Sequence, residues 1–315
     1  MAGERRGVDL STRIGAVALP NPVMTASGTA GHGDELGRYV DLSALGAVVV
    51  KSLSASPWPG NPAPRVHETA AGMLNSVGLQ NPGVEAWREQ ELPALVEAGA
   101  RVVASIWGFT PDDYAEAAHQ LADAPQAVVA VEVNLSCPNV EARRDMFAHS
   151  ERGTAEAVEA AAACRRPRWA KLSPNVTDLT SIAEAAARAG ADAVTLVNTV
   201  MGMAIDPDTR RPRLGAGGGG LSGPAIHPIA VRAVYETRAA LPDLPIVGVG
   251  GVRRAEDAVE LLLAGASAVQ VGTATFADPR APARVLTALA RWCERRGVAT
   301  VRELIGDSHE SHRDR

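Results

Sequence analysis

Residues 246–273 read IVGVGGVRRAEDAVELLLAGASAVQVGT. Two short apolar runs, 246–249 and 268–269, are each rich in β-branched residues and each is followed by glycine: Gly250-Gly251 after the first, Gly272-Thr273 after the second. Between them the chain reads as a helix that stops at Gly265, because Ala264-Gly265-Ala266 supplies a C-cap immediately before the second run. Short strands that are apolar throughout, joined by a helix, belong to a parallel sheet covered on its outer face.

The same signature recurs outward from this stretch. Leu45-Gly46-Ala47 precedes 48–50, Ala98-Gly99-Ala100 precedes 102–103, and Ala189-Gly190-Ala191 precedes 193–194. Apolar runs at 22–25, 130–135 and 169–172 bring the number of candidate strands to eight. Eight such strands alternating with helices predict an α/β fold, a single (β/α)8 TIM barrel over residues 1–315. Helix signals support the alternation. Thr110-Pro111-Asp112-Asp113 offers an N-cap, a first-turn proline and an acidic third position ahead of 114–121, while Thr177 or Asp178 caps a helix that runs to Ala189. Two stretches interrupt the pattern, 52–83 and 200–223, and predict long insertions after strands 2 and 6, where barrel enzymes build their sites. The polar tail, 306–315, is expected to fray.

Composition narrows the function classes. With 46% hydrophobic and 21% charged residues the chain can bury a large core and is not disordered. A net charge of −5 without a basic cluster argues against nucleic acid, and the lack of a long apolar run argues against a membrane span, so a cytoplasmic location is expected. Cys137, Cys164 and Cys293 stand far apart, without the spacing of a disulfide framework, a zinc site or an iron–sulfur cluster, and no metal site is expected.

Polar residues gather where the strands should end: Ser27, Lys51, Ser105, Asn134 with Cys137, Lys171, Asn198 with Thr199, then Gly250-Gly251 and Gly272-Thr273. A barrel brings all eight positions to one face. The glycines after strands 7 and 8 suit a cofactor phosphate, although tight turns alone also use glycine. Lys171 interrupts a buried strand and calls for an anionic or electron-rich partner such as a reduced flavin; a solvated lysine at the strand mouth is the alternative, and for Lys51 the two readings balance. Cys137 follows a buried strand and precedes Pro138, which places it on a turn beside polar neighbours. Cys164 and Cys293 read as small core residues. Asn75, Asn134 and Asn198 taken singly could be turn caps.

Seven blocks in order carry a resemblance: NPVM with ASGT (21–29), GNP to Arg65, LNSVGLQNPG (74–83), NLSCPNV (134–140), KLSPNVTD (171–178), GGLSGPAI (219–226) and GASAVQVGT (265–273). The chain resembles class 1 dihydroorotate dehydrogenases, specifically subgroup 1B. The resemblance implies flavin mononucleotide (FMN) at Ser27, Lys51, Ser52, Ser105, Asn134, Lys171, Val197, Gly223, Gly250, Gly251, Gly272 and Thr273. It implies dihydroorotate, or orotate, at Lys51, Asn75, Ser76, Val77, Gly78, Leu79, Asn134, Asn198 and Thr199. Cys137 matches the base that takes the C5 proton while hydride leaves C6 for flavin N5, and Lys171 matches the residue that stabilises charge on the reduced flavin. Quinone-linked relatives carry serine in place of the cysteine and an N-terminal extension.

Both KLSPNVTD and VNTVMGMAIDPDTRRP (197–212) look like subgroup 1B rather than the fumarate-using subgroup. That implies a partner subunit carrying FAD and an iron–sulfur cluster, with NAD as final acceptor, around a homodimeric core. Two positions depart from the family pattern. Ser105 stands where asparagine is usual, and 141–145 lacks the glycines expected over the substrate. A dihydropyrimidine dehydrogenase on the same scaffold and a flavin-binding barrel without turnover are the competing readings.

Overall fold

A computed structural model describes residues 7–136 and 146–310. Cys137 and the 141–145 loop lie outside the described residues. The eight apolar runs form one parallel sheet: β1 (Val23–Thr25), β2 (Val48–Val49), β3 (Val102–Ile106), β4 (Val128–Asn134), β5 (Arg168–Lys171), β6 (Ala193–Leu196), β7 (Ile246–Val249) and β8 (Ala268–Val271). The bonded order is β1-β8-β7-β6-β5-β4-β3-β2, and a parallel bridge between Met24 and Ala47 closes the ring. Helices such as Pro111–His119, Leu179–Arg188, His227–Ala240 and Ala255–Ala264 fall between successive strands. This is the (β/α)8 TIM barrel expected from the sequence.

Local chemistry accounts for the boundaries. The Thr110 hydroxyl accepts from Asp113 N at 3.2 Å and the Asp113 carboxylate accepts from Thr110 N at 2.9 Å, a reciprocal cap. Of the two caps open for the 179–188 helix, the structure uses Asp178, which accepts from Ser181 N at 3.1 Å. Gly99, Gly190 and Gly265 adopt positive φ at their helix ends, as expected. Gly46 differs: it follows a short 3-10 turn, Leu42–Ala44, and a Cβ there would lie 2.4 Å from the Asn21 carbonyl oxygen. Close backbone approach, not helix capping, requires glycine at that position.

The strands separate two cores. Val131, Val133, Val194, Leu196, Val269 and Val271 face the helices, whereas Val49, Val103, Ala130, Trp169, Val247 and Ala268 fill the barrel. A hairpin, Thr12–Ile14 with Val17–Leu19, plugs the amino ends of the strands with Ile14, Val17 and Leu19. Towards the carboxyl ends the interior turns polar, with Glu132, Asn134, Lys171 and Gln270 all buried. Period-two alternation thus delivers a dry floor and a polar rim.

The two insertions hold one another. Gly219–Ser222 pairs antiparallel with Gly72–Asn75, and the outer strands Val200–Gly202 and Val66–Thr69 complete a four-stranded sheet. Segments nearly 150 residues apart in the chain satisfy each other's backbone groups, with Gly220 paired to Asn75.

The described part of the tail, residues 306–310, departs from the expected fraying. Asp307–Glu310 forms a helical turn, and the segment supplies donors to the last carbonyls of the 255–264 helix: Gly306 N to Leu262 O at 2.9 Å, Ser308 Oγ to Leu263 O at 2.6 Å, His309 Nε2 with Ala264 O at 3.0 Å. His309 also stacks on Tyr235, with ring centroids 4.0 Å apart. Unpaired carbonyls at a helix end are the physical reason this polar segment docks. Residues 311–315 lie outside the described residues. No helix among the described residues is long and apolar enough to cross a membrane.

Candidate active site

A cavity of about 410 Å³ opens at the carboxyl ends of the strands, roofed by the insertion sheet. Ser27, Lys51, Ser52, Asn134, Lys171 and Val197 line its floor and walls, as do Asn198 and Thr199. Asn75, Ser76, Val77, Gly78 and Leu79 reach it from the first insertion, and Gly223, Gly250, Gly251, Gly272 and Thr273 form one end. Scattered sequence positions therefore share one chamber. Ser105 is the exception among the described residues: it is fully buried and does not line the cavity, and its hydroxyl meets that of Ser52 at 2.9 Å. It stands behind Ser52 because a serine is too short to reach past it.

Asn134 organises the centre. Its side-chain amide donates to Ser52 Oγ at 3.2 Å, and its side-chain oxygen accepts from Asn198 Nδ2 and from Ser136 N, each at 3.2 Å. From the helix side, Tyr114 Oη donates to the Asn134 carbonyl at 2.8 Å. Asn134 thus caps the turn at Ser136 and also joins Ser52 and Asn198.

Lys171 is only 4% exposed, so the solvated reading of this lysine does not hold. Its Nζ lies 3.4 Å from Ser27 Oγ, 3.4 Å from Gln270 Oε1 and 3.5 Å from Glu132 Oε1. All three contacts sit at the long limit of hydrogen bonding, which leaves the ammonium able to make a short bond to a ligand. Lys51 is half-buried and lies close enough to His32 that its charge, after burial, helps hold the imidazole below its ordinary value.

At the glycine end, Gly251 takes φ +73°, and a Cβ there would meet His227 Cβ at 2.7 Å. Packing alone thus requires glycine at that turn, so the tight-turn reading holds there. His227 Nδ1 lies 2.7 Å from the Gly250 carbonyl, and Thr273 Oγ1 donates to Ser222 Oγ at 2.7 Å, so the turn is braced on both sides. The hydroxyls of Ser76 and Ser136 are buried in the cavity wall without a hydrogen-bond partner among the described residues. Orphaned hydroxyls, an ammonium with long contacts and a glycine cradle are a donor set for a ligand with an anionic end and a ring that presents hydrogen-bond acceptors. The residues fit FMN.

The family model for dihydroorotate dehydrogenase matches residues 9–292. The chain belongs to the dihydroorotate dehydrogenase family. It is 48% identical over 299 residues to a Trichlorobacter lovleyi protein named dihydroorotate dehydrogenase B (NAD(+)), catalytic subunit, covering 94% of this chain and 97% of that one. A Pelobacter propionicus protein of the same name is 48% identical over 302 residues, covering 95% and 98%. A Solibacter usitatus protein named putative dihydroorotate dehydrogenase A (fumarate) is 50% identical over 298 residues, covering 94% and 97%. Membership of the dihydroorotate dehydrogenase family displaces the dihydropyrimidine dehydrogenase alternative.

Sequence reasoning passed over Glu132, Gln270 and Asn175 in this dihydroorotate dehydrogenase-family site. Glu132 and Gln270 are fully buried and bonded to each other across the barrel, Gln270 Nε2 to Glu132 Oε2 at 2.8 Å. Each stands two residues before a strand-end residue, Asn134 and Gly272, and the strand period would have pointed both inward. Asn175 lines the cavity and ties the β5 loop to the second insertion, donating to Thr199 O at 3.0 Å and accepting from Met201 N at 2.9 Å.

Proposed function

We propose that this chain oxidises (S)-dihydroorotate to orotate in pyrimidine biosynthesis, as the FMN-binding catalytic subunit of an NAD-linked enzyme. The observation that carries the reading is the Lys171 ammonium, suspended by three long contacts between the Asn134–Asn198 pair and the glycine turns after β7 and β8. Bound FMN supplies the two-electron acceptor for the hydride that leaves C6. Ser27, Ser52, Lys51, Val197, Gly223, Gly250, Gly251, Gly272 and Thr273 hold the cofactor, and Lys171 offsets the negative charge that develops during reduction. Asn75, Asn134, Asn198 and Thr199 orient the pyrimidine, with Ser76, Val77, Gly78 and Leu79 closing around it. Cys137 takes the C5 proton.

Electrons leave through a partner subunit carrying FAD and an iron–sulfur cluster, bound to a homodimeric core in the cytoplasm. Matches to KLSPNVTD and to 197–212 favour NAD over fumarate. Denatured protein is expected to release FMN, and the isolated chain to oxidise dihydroorotate with artificial acceptors while reducing NAD poorly. Recovery of FAD from the isolated chain overturns the cofactor assignment, and efficient turnover with fumarate overturns the subgroup.

A further inference from the structure

Behind Lys171, beneath the cavity floor, lies a buried pair, Glu132 and Gln270, that the reaction just described does not use. Glu132 on β4 and Gln270 on β8 are fully buried, and Lys171 on β5 is nearly so. Gln270 touches both charged partners, donating through Nε2 to Glu132 Oε2 at 2.8 Å while its Oε1 sits 3.4 Å from Lys171 Nζ. Glu132 Oε1 makes no hydrogen bond among the described residues, and its charge contact is the 3.5 Å approach to Nζ. Gln270 thus bridges the carboxylate and the ammonium, which stand 3.5 Å apart, longer than the roughly 2.7–2.9 Å of a close charge-assisted bond.

Stability alone does not explain this arrangement. A buried ion pair is commonly no more stabilising than apolar residues of the same volume, and the layer below it is built from Val49, Val103, Trp169 and Val247. Its place directly under the lysine that faces the cavity gives it an electrostatic task. In a dry interior the field of Lys171 at the flavin depends on how closely its counter-charge is held.

We propose that Glu132, spaced by Gln270, is the counterweight that fixes how much of the Lys171 charge reaches the flavin, and so sets the flavin's reduction potential. Both are positioning residues, and the inference rests on the FMN reading above. Removing the carboxylate leaves the ammonium uncompensated and favours the reduced, more negative flavin. Removing the spacer lets the pair close and favours the oxidised form.

Anaerobic spectroelectrochemical titration of the FMN-loaded protein tests this. At the parental midpoint, where reduced and oxidised flavin are equal, Glu132→Gln is expected to raise their ratio at least about tenfold, the effect of a unit charge within about 10 Å at an effective dielectric of about 20. Glu132→Asp, which keeps the charge, is expected to return most of the way to the parental ratio. Gln270→Met is expected to lower it. Opposite signs distinguish an electrostatic counterweight from general loosening of the site. A parental potential in Glu132→Gln, or shifts of one sign in Glu132→Gln and Gln270→Met, overturns the inference. Should Glu132→Gln fail to retain flavin, Gln270→Met decides alone, and an unchanged or raised ratio there overturns it. Absence of FMN from the parent is a different failure, because it overturns the functional reading and the inference with it.

Discussion

The side-chain oxygen of Asn134 accepts a 3.2 Å hydrogen bond from the side-chain amide of Asn198, joining the end of β4 to the residue that follows β6. With the further bond from Asn134 to Ser52, one side chain ties together three strand ends. Asn134→Ala leaves Ser52 Oγ, Asn198 Nδ2 and Ser136 N without this partner, at about 1–3 kcal/mol, and kcat/KM for dihydroorotate is expected to fall roughly 10- to 100-fold. Asn198→Ala breaks the same bond, so the double variant is expected to lose less than the product of the two single effects. Steady-state rates with an artificial acceptor measure this, and full additivity would show that the two asparagines act independently.

Ser105 bonds to Ser52 from behind the cavity wall. Ser105→Ala is expected to cost about 0.5–1.5 kcal/mol of stability, the usual net worth of such a bond, with flavin affinity changed less than about threefold. Denaturant unfolding and flavin titration separate the two effects. A large loss of affinity at unchanged stability would put Ser105 in direct contact with the cofactor.

How legible these sites were depends on the kind of signal each residue gives. Strand ends with polar letters after apolar runs, as at Asn134 and Lys171, are visible because alternation and barrel closure convert sequence position into a place on one face. Glu132 was missed because a charge inside an apolar run has no reading until its partners are known. Those partners, Lys171 and Gln270, lie on strands 39 and 138 residues away. Ser105 was misplaced by about one layer, since position along a strand does not give side-chain reach. The pairing of the two insertions was invisible for a related reason: Gly72–Asn75 and Gly219–Ser222 carry little strand signal, and only each other's backbone makes them strands. The tail at Ser308 and His309 looked frayed because its partners are carbonyls, which leave no trace in the sequence.

His32 provides a pH test. Burial first, and then the charge of Lys51, hold its imidazole below the ordinary value, with Glu35 pulling the other way. A histidine lowered on folding contributes stability that is complete above its unfolded value of about 6.5 and lost as pH falls through the folded value. Stability is therefore expected to decline on acidification below about pH 6.5, and His32→Gln to flatten part of that slope. Denaturant midpoints measured from about pH 7 down to about pH 5 check it, and an unchanged slope in the variant would remove His32 from the account.

Cys164 and Cys293 are core thiols. Burial pushes the Cys164 and Cys293 thiols above their ordinary value, and both are fully buried. They are expected to resist alkylation in the native protein while Cys137 reacts first, with the order read by mass spectrometry of partially labelled protein. Cys137→Ala is expected to slow flavin reduction by roughly 10²–10⁴, the worth of a positioned base, with Cys164→Ala and Cys293→Ala close to the parent. Flavin reduction by Cys137→Ala at the parental rate would place the base elsewhere.

The most direct test is the absorption spectrum of the purified chain under anaerobic conditions, recorded before and after addition of dihydroorotate. A flavin-dependent dihydroorotate dehydrogenase shows the bands of oxidised flavin, and dihydroorotate alone bleaches them while orotate forms in equal amount. A flavin-loaded protein whose bands persist after dihydroorotate is added, and which dithionite then reduces, would contradict the proposed reaction.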